Sequence, residues 1–142
     1  MRDALEQAQR ALDLGEVPVG AVVVQEGRIV GMGFNQPIAG NDPTSHGEIV
    51  ALRAAARTLG NYRLTGSTLY VTVEPCLMCA GAMVHARIGT LVYGASEPKS
   101  GVAHSVMRAF DHPSLNHRVE VVSGVLEDDC SRIIKKFFKE KR

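Results

Sequence analysis

The chain has 142 residues, 45% hydrophobic and 22% charged, with a formal net charge of +1. That length suits a single domain, 1–142, with a core of its own, so a disulfide-stapled miniature is excluded; the longest apolar stretch, Val17 to Val24, is far too short to span a bilayer. The charge is uneven: residues 1–130 hold ten Lys/Arg against fourteen Asp/Glu, net −4, and residues 131–142 hold six against one, net +5.

In chain order, Ala4, Leu5, Ala8, Ala11 and Leu12 recur at helical spacing and predict an amphipathic helix over 2–14, ending near Gly15. Met1 to Arg10 carries charges throughout and has no apolar centre, so it does not read as a secretory signal, and a cytoplasmic location is expected. Val17 to Val24 is β-branched and reads as a strand, Arg28 to Phe34 as a second, with Gln25-Glu26-Gly27 as the hairpin turn. Asn35 to Pro43, rich in Gly, Pro, Asn and Asp, reads as a surface loop. A second helix is expected from about His46 to Leu59, with Thr44 or Ser45 as its cap and Ile49, Leu52, Ala55 and Ala56 facing the core.

Thr68 to Val73 predicts a third strand, leading through Glu74-Pro75-Cys76 into a third helix at Leu77 to His85. Ile88 to Tyr93 reads as a fourth strand, Val106 to Phe110 as a short helix and Val119 to Ser123 as a fifth strand. The last helix, Glu127 to Lys139, places Cys130, Ile133, Ile134, Phe137 and Phe138 on one stripe. The order α-β-β-α-β-α-β-β-α implies an α/β fold with one sheet covered by helices on both faces.

Three cysteines, two of them spaced Cys76-x-x-Cys79, argue for metal or redox use over disulfides; Cys130 reads as a small buried hydrophobe. The pair opens a helix behind Pro75, so both thiols can face one ion. His46 and Glu48, two apart, would diverge by roughly 200° on a continuous helix. They converge if His46 lies at the helix start, where backbone angles are still irregular. Both sets then sit at helix N-termini, whose N–H groups and dipole favour thiolates and a bound hydroxide. His, Cys and Cys make three zinc ligands with a fourth position open, the composition of a catalytic centre; a structural site normally closes with a fourth Cys or His. A redox pair, in turn, has no need of His46-x-Glu48. Zinc would lower the pKa of its water, and Glu48 would move the protons. The reaction this suits is hydrolysis at an unsaturated ring carbon bearing an amino group.

The pattern His-x-Glu followed by Pro-Cys-x-x-Cys is the known signature of zinc-dependent nucleobase deaminases, which this sequence resembles. Glu16 to Val22, Asn61 to Leu64, Glu74 to Met83, Arg87 to Gly89 and Asn116 to Glu120 are similar, in order, to the bacterial tRNA-specific adenosine deaminases of the cytidine/deoxycytidylate deaminase superfamily. The resemblance implies a three-layer α/β/α cytidine deaminase-like fold with a mixed five-stranded sheet, one Zn2+ per chain and a homodimer. It also implies conversion of the wobble adenosine of a tRNA anticodon stem-loop to inosine, by attack of a zinc-bound water on adenine C6. It implies His46, Cys76 and Cys79 as metal ligands and Glu48 as catalytic proton shuttle. Asn35 would contact the nucleoside, Val17, Val73 and Glu74 would line its pocket, and Glu97, Asn116 and His117 would lie near flanking nucleotides. Where the family commonly has Ala and Asp, this chain has Gly47 and Glu97, and Gly47 is expected to take a methyl from the pocket wall.

An anticodon loop offers unstacked bases that enter a pocket without opening a duplex, and the +5 segment fits a polyanion partner such as RNA. The same charges are also what a solvated helix face carries. Two other functions fit parts of the sequence: a deaminase of free bases or nucleosides such as cytosine or guanine, and a zinc-stabilised RNA-binding protein without turnover. The first has no use for the basic tail, and the second has none for Glu48.

Overall fold

A computed structural model describes residues 1–141. Five strands form one sheet in the order β2-β1-β3-β4-β5. The strands are β1 (Gly20–Gln25), β2 (Arg28–Phe34), β3 (Thr68–Val73), β4 (Thr90–Ala95) and β5 (Glu120–Val122). β1 is antiparallel to both β2 and β3, while β3, β4 and β5 run parallel, so the sheet is mixed.

Side-chain alternation along the strands separates two apolar layers. Ala21, Val23, Leu69, Val71, Leu91 and Tyr93 pack with Ile49, Leu52 and Ala55 of α3 (Gly47–Leu59) and with Ala80 and Met83 of α4 (Leu77–His85). The opposite face, with Val22 and Val92, meets α1 (Arg2–Asp13) and α5 (Glu127–Lys141), whose buried faces carry Ala4, Ala8, Ala11, Cys130 and Phe137. The result is the three-layer α/β/α arrangement. α3 approaches β2 closely because Gly31 and Gly33 have no side chain: a Cβ at Gly33 would stand 2.6 Å from the Ala51 nitrogen.

Several expected boundaries shift for reasons visible in the backbone. β1 begins at Gly20, because Pro18 has no N–H and the Val19 N–H donates back to the Val17 carbonyl at 2.8 Å. β4 begins at Thr90, because the Ile88 N–H donates to the Met83 carbonyl and so still closes the end of α4. β5 is trimmed to Glu120–Val122. The loop after β2 contains a short helix, α2 (Pro37–Gly40), and the helix expected at 106–110 is one 3-10 turn at Ala109–Asp111. α5 runs to Lys141, and Phe138, expected on its buried stripe, is 48% exposed.

Candidate active site

α3 and α4 both start at the same end of the sheet, where β2 and β3 finish beside the beginning of β1. His46 and Cys76 are their N-cap residues, with extended backbones (φ −73°, ψ 152° and φ −80°, ψ 175°). That extended residue is what brings the His46 ring and the Glu48 carboxylate into one pocket. Neither Thr44 nor Ser45 caps α3: both hydroxyls donate to Asp42. The capping oxygen comes from another loop, as the Gly47 N–H donates to Asn35 Oδ1 at 2.7 Å.

His46 Nδ1 lies 3.6 Å from Cys76 Sγ and 3.5 Å from Cys79 Sγ, and all three donor atoms are within 4.8 Å of one another. Nitrogen and sulfur bound tetrahedrally to one zinc at ordinary bond lengths stand about 3.6 Å apart, so the three residues fit that metal. Their proton affinities fit it too. The Cys79 thiol and then His46 hydrogen-bond to the Cys76 sulfur and bring its pKa down to about 4, against the effect of burial. The Cys79 thiol is pushed up, first because Cys76 holds its proton and then by burial. His46 is raised, chiefly by its hydrogen bond to Cys76. Protons balance the thiolate charge here, a task a divalent cation takes over on binding. Cys130, the third cysteine, is buried against the other face of the sheet and takes no part.

Above the donors opens a pocket of about 140 Å3. Val17, Asn35, Glu48, Val73, Glu74 and Glu97 line it together with His46 and Cys76. Glu48 is buried, and that burial pushes its carboxyl above the usual range, the direction a proton-transfer group needs. With Oδ1 committed to Gly47, Asn35 keeps its amide NH2 to donate into the pocket. Glu74 lines the wall, but its carboxylate turns into the loop above. Burial would raise its pKa; hydrogen bonds from the His104 N–H, the Ser105 hydroxyl and the Glu97 N–H outweigh that and hold it below the usual range.

Asn116 and His117 are not brought to this pocket. Asn116 accepts from the Arg87 guanidinium at 3.1 Å, and His117 Nε2 bonds the Ile88 carbonyl at 2.7 Å. Val19, Ser100, Ile134 and Phe138 do line it without having been expected there. For the last two the signal was present, an i, i+4 apolar pair on α5, but the stripe read as core. Gly47 corrects another expectation: a methyl there would press on the Val19 carbonyl at 3.0 Å and on Gly33 and Phe34 backbone at 3.4 Å. It would lie between α3 and the β1–β2 edge, and Gly47 is not part of the pocket wall.

A larger groove of about 910 Å3 adjoins the pocket and shares Val73, Glu97, Ile134 and Phe138 with it. Lys99, Lys135, Lys139 and Lys141 also line the groove. No helix among the described residues is long and apolar enough to cross a membrane.

The sequence profile of the MafB19-like deaminases matches residues 1–142. A tRNA-specific adenosine deaminase of Haemophilus influenzae is 53% identical over all of this chain and 83% of its own length. One of Bacillus subtilis is 42% identical, over all of this chain and 88% of its own. A solved structure from work on A-to-I editing by tRNA:A34 deaminases at the wobble position of transfer RNA is similar with a TM-score of 0.91. It is 44% identical, and the match spans 94% of this chain and 96% of that one.

Proposed function

From the premise that the chain belongs to the MafB19-like deaminases and, among them, to the tRNA-specific adenosine deaminases, we propose that its pocket converts the wobble adenosine of a tRNA anticodon to inosine and ammonia. The observation that carries this reading is that a buried carboxylate, Glu48, lines one open pocket with His46 and Cys76, two of three clustered zinc donors, the third being the buried Cys79 behind them. His46, Cys76 and Cys79 would hold the metal, one per chain. Bound there, zinc supplies the Lewis acidity that makes water a nucleophile at neutral pH.

The remaining chemistry belongs to side chains. Glu48 accepts a proton from the attacking water and delivers it to the ring nitrogen N1; it then takes the second proton from the new C6 hydroxyl and hands it to the amine, which leaves as ammonia as the C6–N bond breaks and the C6 carbonyl forms. Its raised pKa suits both directions of that transfer. Asn35 donates its amide NH2 to an acceptor on the nucleoside, and Val17 and Val73 enclose the base. Glu97, at the rim, accepts from a ribose 2′-OH and so favours RNA over DNA.

The strand flanking the base follows the groove beside α5, where four lysines meet its phosphates and the exposed Phe138 offers a ring for stacking. The chain works in the cytoplasm as one deaminase domain. It pairs with a second copy over the face where Leu77, Met78 and Met107 are exposed beside an apolar groove of about 530 Å3.

The test is a substrate panel. The purified protein is incubated with an anticodon stem-loop bearing a wobble adenosine, and separately with free adenosine, cytosine and guanine. Inosine from the stem-loop is expected. Product from free bases alone would replace the tRNA reading with a nucleobase deaminase. Bound zinc with no product from any substrate would leave a binding module.

A further inference from the structure

Glu74 is the one pocket residue whose functional group is fully engaged elsewhere. Its carboxylate collects the N–H groups of Glu97 at 3.0 Å, Ala103 at 3.0 Å, His104 at 2.8 Å and Ser105 at 3.0 Å, together with the Ser105 hydroxyl. None of the three ion pairs among the described residues involves it. A buried charge without a cation is stabilised only if its donors converge, and these do so from four points on one segment.

That segment, residues 97–105, has no helix or strand to give it shape. Gly101 touches the carboxylate so closely that the Glu74 carboxyl occupies the place of a Cβ there, and the Glu97 carbonyl would stand 2.6 Å from it. The Gly101 N–H donates to that same carbonyl at 2.8 Å, the Val102 N–H donates to the Pro75 carbonyl at 2.9 Å, and the Tyr93 hydroxyl meets His104 Nδ1 at 2.7 Å. The loop is folded around a carboxylate supplied by the end of β3. Two of its residues, Glu97 and Ser100, line the pocket.

We propose that Glu74 is a positioning residue for substrate recognition: its carboxylate fixes the backbone of residues 97–105 and thereby sets where Glu97 and Ser100 meet the nucleotides at the pocket rim. This rests on reading the pocket as an RNA adenosine deaminase site. The hydrogen bonds of the Glu74 carboxylate all go to residues 97–105 and none to His46, Cys76 or Cys79. A competing role follows from its place in the chain: next to Pro75 and Cys76, it could instead fix the metal cradle.

A double-mutant cycle separates the two. Wild type, Glu74→Gln, Glu97→Ala and the double variant are compared on the anticodon stem-loop for KM and kcat, with zinc content and amide exchange measured on the same samples. Each single change is expected to raise KM about tenfold with kcat within about threefold, and the double variant is expected to lie within about threefold of the worse single. Zinc stays at one per chain, and the amides of residues 97 and 103–105 exchange faster in Glu74→Gln. Ser105→Ala, which removes one of the five bonds, shifts KM the same way by about threefold; paired with Glu97→Ala, it carries the cycle if Glu74→Gln does not fold. Effects that multiply in the double variant, or loss of zinc with KM unchanged, overturn the proposal. A wild type that yields no inosine overturns the reading beneath it, and the proposal with it; a wild type that is active with a multiplicative cycle removes the role of Glu74 alone.

Discussion

The two walls of the pocket are built by opposite means. On one side, His46, Glu48, Cys76 and Cys79 stand at the starts of two helices that a mixed sheet holds in place. On the other, residues 97–105 follow a path with no repeating hydrogen-bond pattern, gathered on one carboxylate. The first wall needs particular side chains at fixed spacings, because a metal and a proton transfer demand atoms within a few tenths of an ångström. The second needs only N–H groups, which every residue but proline has. On the proposed reading, chemistry falls to the rigid wall and recognition to the wall that can vary.

Perturbing each wall should therefore give a different signature. The largest effect is expected from Cys79→Ser, which removes a fully buried donor. Zinc content should fall well below one per chain and inosine formation should disappear; a variant that keeps full zinc and turnover would break the comparison at its firmest point. Next is Asn35→Ala, which leaves the Gly47 N–H without its acceptor and removes the donor to the substrate. Loss of that cap should cost about 1 kcal/mol in denaturant unfolding, with a fall in kcat/KM beyond what stability explains. Retained kcat/KM would reduce Asn35 to a cap.

Charge reversal of Lys135 and Lys139 acts only on the groove. Stem-loop affinity measured against salt should lose slope by about two, one unit for each cation, while kcat holds; an unchanged slope would take the RNA path off α5. Smallest is Gly47→Ala. The new methyl meets backbone at 3.0 to 3.4 Å, outside the pocket wall. Stability should change by no more than about 1 kcal/mol, the helix preference for Ala offset by the tight contact. The ratio of adenosine to cytosine deamination should stay the same. A changed ratio would return residue 47 to the specificity wall.

The cluster that could hold a metal was legible in the sequence because residue type and spacing are themselves the requirement: Pro75-Cys76-x-x-Cys79 and His46-x-Glu48 name the candidate residues and their helix starts. The α/β layering was legible from alternating periods of two and near four. What local rules could not reach were contacts made across the chain. Local cap rules assigned α3 to Thr44 or Ser45, while the cap comes from Asn35, twelve residues before Gly47. β1 starts three residues late because the Pro18 ring and the Val19 turn end the ladder there. The resemblance implied Glu74 only as pocket lining; its hold on the loop was out of reach, because its partners are mainly main-chain groups that no residue type announces.

The central claim is that Glu48 makes the metal centre catalytic without holding it. In Glu48→Ala, zinc per chain, stem-loop affinity and inosine formed in a single turnover can be measured on one preparation. The expected result is one zinc, affinity close to wild type and no inosine. Inosine at the wild-type rate, or loss of zinc with the side chain, would contradict it.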